Sequence, residues 1–167
     1  MEGKMNRVTE AHIQAVLMKW VMVEKNHNCF IPNSNEFFFW EADLISVTKS
    51  GLVHEFEVKL NIYDFRADAK KQKHAWIGQD YNSPAYFWYV TYDFEIEPPE
   101  KSGWILITQD DSPFGWKLEV KKEAPRLNNW KPDQRRTEQI ARLLSWRLFH
   151  INQLHYLKKE AGSATLG

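Results

Sequence analysis

WEADLISVTKSGLVHEFEVKLNIYDFRADAKKQK, residues 40–73, holds two segments of alternating character, a turn between them, and a lysine-rich run behind. Glu41-Ala42-Asp43-Leu44-Ile45-Ser46-Val47 and His54-Glu55-Phe56-Glu57-Val58-Lys59-Leu60 each alternate polar with apolar residues, the period of a strand with one buried face. Thr48-Lys49-Ser50-Gly51 supplies turn chemistry, with Gly51 free to take a positive φ, so the spacing predicts an antiparallel hairpin. Strand side chains alternate faces, which puts Glu57 and Lys59 on one side and Phe56, Val58 and Leu60 on the other. The apolar trio is expected to pack on a core, leaving Glu57 and Lys59 facing a cleft or water. An ordinary solvated strand face is the plain alternative.

An acid at the head of one strand (Asp43), a short turn, Glu57-Val58-Lys59 and then a lysine-rich helix form an order that resembles the PD-(D/E)XK nuclease superfamily. The resemblance spans roughly Glu10 to Arg126 by element order, with Ala42 standing where the family's motif has proline. It implies an α/β fold, a restriction-endonuclease-like mixed β-sheet flanked by helices. It also implies Asp43 and Glu57 as ligands of Mg²⁺ or Mn²⁺ and Lys59 as the catalytic lysine. A glutamate on the family's first helix often reaches the metal, and Glu10 is the residue that matches, although an acid in a first helical turn also suits the helix dipole. Small nucleases of this superfamily carry D-F-x-x-D-x-x-K on the following helix, and Asp64, Phe65, Asp68 and Lys71 fill those positions. Arg66, Lys70, Lys71 and Lys73 would then meet the DNA backbone.

The chemistry agrees with that assignment. Phosphodiester hydrolysis calls for a hard cation that polarises a phosphoryl oxygen and acidifies a bound water, and hard cations take oxygen ligands. A lysine two residues from one such ligand offers a compact charge for a phosphate oxygen or for charge that develops in the transition state.

Composition bounds the rest. A chain of 167 residues, 43% hydrophobic and 26% charged, suits one globular domain, expected over 1–160 with a frayed tail at 161–167. No run approaches the roughly 18 apolar residues of a membrane span. The start MEGKMNRVTE lacks a signal-peptide core, so a cytoplasmic protein without membrane partners is expected. The 22 basic and 22 acidic residues cancel, which argues against coating of nucleic acid by bulk charge alone and leaves local patches. Cys29 is the single cysteine, so neither an internal disulfide nor a cysteine zinc site can form. No P-loop, dinucleotide or serine-hydrolase motif occurs.

Elsewhere, Ile13, Val16, Leu17, Trp20 and Val21 at helical spacing behind Thr9 predict a first helix over 9–24. Cys29-Phe30-Ile31 reads as a strand, Pro32-Asn33-Ser34-Asn35 as a turn, and Phe37-Phe38-Phe39-Trp40 as the lead into a central strand. Ile62, Phe65, Ala69 and Trp76 predict the buried stripe of one helix after the hairpin. Strands follow near 85–91, 104–108 and 116–120. Asp133 reads as the N-cap of a closing helix whose apolar stripe packs on the sheet or, alternatively, forms a homodimer. The functional expectation is a DNA nuclease; the competing one is an inactive nucleic-acid- or protein-binding adaptor on the same fold.

Overall fold

The computed structural model describes residues 7–163 apart from 80 and 113, and the side chains of those up to 155. It divides into two compact units, Met1–Pro132 and Asp133–Gly167, where the sequence predicts one domain over 1–160. The second unit is helix α4 (Gln134–Ser163). Asp133 caps it as expected, its Oδ1 accepting from the Arg136 N–H at 2.8 Å. α4 runs into the segment expected to be a tail, and 164–167 lie outside the described residues. No helix among the described residues is long and apolar enough to cross a membrane.

The first unit is α/β. Helix α1 (Glu10–Lys19) continues into a π-helical turn at Trp20–Glu24. Strands β1 (Cys29–Ser34), β2 (Ala42–Val47) and β3 (Val53–Lys59) follow, then helices α2 (Ile62–Asp68) and α3 (Lys73–Trp76), then β4 (Tyr86–Tyr92), β5 (Gly103–Gln109) and β6 (Trp116–Lys122). The six strands form one mixed sheet in sequence order. β1–β2–β3 is an antiparallel meander, β4 runs parallel to β3, β5 parallel to β4, and β6 returns antiparallel.

The β2–β3 hairpin forms as expected: Gly51 takes φ 84°, and Thr48 and Leu52 close the turn through a 2.9 Å backbone bond. Two neighbouring expectations do not hold. Pro32 and Asn33 belong to β1 rather than to a turn; β1 lies at the sheet edge, where proline's missing N–H interrupts no ladder. The aromatic run 37–39 is an irregular bend rather than a strand, with Phe37 and Phe38 buried and Phe39 72% exposed. Phe37 packs edge-on against Trp130 at 6.2 Å, so its burial comes from a loop partner rather than from sheet neighbours.

One sheet face is apolar. Leu44, Phe56, Val58, Trp88, Val90, Ile105 and Ile107 pack against Ile13 and Leu17 of α1 and against Trp20 and Val21. Gly103 permits close strand packing there, since a Cβ would lie 2.4 Å from Trp88 Cε3. α2 and α3 serve the other face, where Phe65 and Ile77 meet Phe87 and Tyr89. The helix expected after the hairpin is thus two short ones. Of the expected stripe Phe65 packs inward, but Ala69 and Trp76 are exposed, while Asp68 and Lys73 are buried.

Candidate active site

Hairpin pairing builds the site. Leu44 opposes Phe56 and Ile45 opposes Glu55, and just past the Leu44–Phe56 pair strand alternation sets Asp43 and Glu57 on the face opposite to Leu44 and Phe56, which pack with α1. Asp43 is held by β3 itself, its Oδ2 accepting from the Val58 N–H at 2.7 Å. Glu57 and Lys59 share the same face as expected, but they project into neither water nor an open cleft. They are 3% and 6% exposed, and Lys59 Nζ donates to Glu57 Oε1 at 2.6 Å.

Around this pair lies a network that includes residues given no role by the sequence. Lys59 also donates to Asp68 Oδ1 at 3.1 Å. Asp68, fully buried, accepts from Tyr89 Oη at 2.9 Å and is bonded to His74 Nε2 at 2.9 Å. Lys71 reaches both Asp68 (2.7 Å) and Glu57 (3.3 Å). Lys73 donates to Glu57 Oε2 and lies 3.6 Å from Glu55. Glu57 therefore accepts from three lysines. Glu55, also fully buried, accepts from Trp40 Nε1 at 2.9 Å through Oε1, and its Oε2 has no hydrogen-bond partner among the described residues.

The ionisation of these groups follows from burial and charge. Burial, then the Glu57 charge, pushes the Asp43 carboxyl up to about 7 against the Val58 hydrogen bond. Burial raises Glu55 to about 7, with Lys73 and Trp40 opposing. Burial would also raise Asp68, but His74, Lys73 and Lys71 outweigh it and hold that carboxyl well below the usual range. Lys73 is depressed by burial and raised more by Glu55 and Glu57, so it is held as a cation. Burial and then the Asp68 charge keep the Tyr89 hydroxyl protonated far above its ordinary value.

Glu10 reaches the neighbourhood from α1. Gln14, buried one turn later, donates through Nε2 to Glu10 Oε1 at 2.9 Å and to the Asp43 backbone oxygen at 2.8 Å, tying α1 to the head of β2. Burial, then Glu57, raises the Glu10 carboxyl. Of the cations expected to meet DNA, Arg66 and Lys70 are exposed. Lys71 is exposed along its stem with its ammonium paired. Lys73, expected among the DNA-facing cations, instead lies buried between Glu55 and Glu57, inside the site. The buried acids attract its charge more strongly than its position behind a surface lysine run suggests.

The donors present fit a hard divalent cation in their chemistry. Asp43, Glu57 and Glu10 are oxygen donors, the Glu57 charge adding to the raised proton affinity of the other two, and Glu55 adds a buried oxygen without a partner among the described residues. No three of His, Cys, Asp or Glu among the described residues already converge as a cage. Glu57 would have to exchange lysine contacts for metal.

No family model matches the chain, and no curated protein does. Among solved structures, a protein of unknown function from Silicibacter pomeroyi is similar with a TM-score of 0.59 at 16% identity, over 90% of this chain and 94% of that one. That likeness is one of fold: an α/β architecture with a six-stranded mixed sheet.

Proposed function

We propose that this protein is a metal-dependent DNA nuclease of the PD-(D/E)XK type, acting in DNA repair, recombination or phage DNA processing within the cytoplasm. The observation that carries the reading is the meeting of Asp43, Glu57 and Lys59 on one face of neighbouring strands, with Lys59 Nζ 2.6 Å from Glu57. The surrounding topology supports it: a three-strand meander, a helical crossover and a parallel fourth strand. Asp43 and Glu57, with Glu10 beside them, would hold Mg²⁺ or Mn²⁺, which supplies Lewis acidity and an acidified water. Lys59 presents its ammonium to a phosphate oxygen, and its burial strengthens that interaction over the same contact in water. Asp68 is a positioning residue: pinned by Tyr89, His74 and Lys71, it fixes where the Lys59 ammonium sits. Arg66 and Lys70 would meet phosphates without regard to base sequence.

The test is incubation of the protein with single-stranded, duplex and branched DNA, with Mg²⁺, Mn²⁺ or chelator. Cleavage should require metal, and Lys59→Ala should slow it by about 10²–10³-fold, the usual cost of one transition-state donor. In that variant Glu57 keeps Lys71 and Lys73, and Asp68 keeps Lys71 and His74, so the fold should survive. Unchanged turnover would remove Lys59 from the mechanism. If no DNA form is cut, the adaptor reading gains, since Glu57 with its oxygens held by lysines is what an inactive descendant would retain.

A further inference from the structure

Beside the site, on the same sheet face, lies a cavity of about 280 Å³ that the phosphodiester chemistry does not use. Its walls include His74, Ile77, Phe87 and Tyr89, and the chain at Glu100, Lys101 and Ser102 forms a polar stretch of its lining. His74 and Tyr89 each turn a polar atom toward Asp68, 2.9 Å away in both cases, which leaves ring surface for the cavity. Phe87 meets Tyr89 edge-on at 5.1 Å and His74 edge-on at 5.8 Å, so the aromatic wall is fixed by packing. Asp68 in turn holds Lys59 at 3.1 Å, placing the wall two hydrogen bonds from the candidate catalytic lysine. Lys101 is exposed, its ammonium lies 3.6 Å from where a Gly78 Cβ would be, and it makes no ion pair within 4.0 Å among the described residues.

We propose that this cavity takes the base of a single unstacked nucleotide next to the cleaved bond, with Lys101 receiving its phosphate. Its volume lies at the small end of ligand pockets, enough for one ring system and too little for a stacked pair. Aromatic and apolar walls with a cation among the lining residues are what an extruded or single-stranded nucleotide requires. The placement beside a cleaved bond rests on the nuclease reading; occupancy by a nucleotide does not. The protein would therefore favour DNA with an unpaired nucleotide over continuous duplex.

The experiment titrates the full chain with 2′-deoxyadenosine 5′-monophosphate and, separately, with deoxyribose 5-phosphate, following the Gly78 and Ser102 amides by NMR. Parallel cleavage assays compare single-stranded with duplex DNA. The nucleotide should shift both amides, and the base-free sugar phosphate, which has only Lys101 to meet, should shift them less at the same concentration. Ala69→Phe, which fills the cavity from an exposed position of its wall, should weaken nucleotide binding by about 10-fold, the loss of one stacking site, and Lys101→Gln should weaken it by removing the charge that meets the phosphate. DNA cleavage without any nucleotide-induced shift overturns the base pocket and leaves the nuclease standing. Equal shifts by the two ligands, or binding unaffected by both substitutions, also overturn it. Nucleotide binding lost in Ala69→Phe, in a protein that cuts no DNA, upholds the pocket and refutes the nuclease.

Discussion

The two faces of the sheet handle buried ionisable groups in opposite ways. On the α1 face, the aromatic and aliphatic packing of Phe56, Trp88 and Trp20 extends to a pair of histidines, His54 and His27, whose pKa values burial lowers. His54 stacks on Tyr86 at 4.3 Å, accepts from Trp88 Nε1 at 3.1 Å through Nδ1, and meets His27 at 4.7 Å, while His27 Nδ1 pairs with Ser46 Oγ at 2.7 Å. The α2–α3 face buries Glu55, Glu57, Lys59, Asp68 and Lys73 as a network in which most charges are met by other charges. The first arrangement resists protonation and the second holds opposite charges together away from water. Only the second resembles something a substrate or cation would use, because charges held in place away from water can act on a reacting group without reorganising first.

Stability against pH should separate the faces by sign. Burial, then His27, lowers the His54 pKa from 6.5 to about 3. Below pH 6.5 an unfolded chain takes a proton there and the folded one does not, so folding weakens as pH falls toward 3, by up to about 5 kcal/mol. Glu55 acts in reverse: its carboxyl is raised from 4.5 to about 7, so the cost of burying its charge is relieved as pH falls through that window. Urea unfolding across pH should show His54→Gln with a flatter loss below pH 6.5 than the natural protein. An unaltered slope would mean that His54 is not the group that titrates.

Lys73 offers a sharper break. Lys73→Met leaves Glu55 without its cation and deprives Glu57 of one, at a cost of about 3–5 kcal/mol at pH 8. The loss should shrink at pH 5, below the raised pKa of Glu55, where that carboxyl is protonated and no longer needs its cation. Phe56→Ala on the apolar face should cost a similar amount, about 3–5 kcal/mol, at both pH values. Equal losses for Lys73→Met at the two pH values would make its role one of packing.

The difference between the faces also explains what was legible in the sequence. Period-two alternation placed Phe56 and Val58 on one side and Glu57 and Lys59 on the other, and Gly51 marked the turn, because a hairpin with one apolar face writes itself in local pattern. Asp133 likewise marked the start of α4. The crossover after β3 is less legible for the same reason: helical spacing points to Phe65, which does pack inward, but also to Ala69 and Trp76, whereas Asp68 and Lys73 take the interior side. Charges are buried when long-range partners satisfy them, and the pairing of Lys73 with Glu57 or of Tyr89 with Asp68 leaves no periodic trace. Glu55 and Gln14 went unnoticed as site residues on that ground. The D-F-x-x-D-x-x-K spacing was the one signal pointing toward Asp68.

The central claim is that Asp43 and Glu57 form one cation-binding site, and thermal melting of the natural protein and Asp43→Asn at pH 8, each with Mn²⁺ and with chelator, tests it most directly. Asparagine keeps an oxygen for the Val58 N–H and removes a charge that Glu57 opposes, so the variant should melt higher than the natural protein in chelator. Mn²⁺ should stabilise the natural protein by about 2.7 kcal/mol at a hundredfold excess over Kd, and the variant should lose most of that gain. Equal metal-induced shifts in the two proteins would contradict the account, because Asp43 would then not be a ligand.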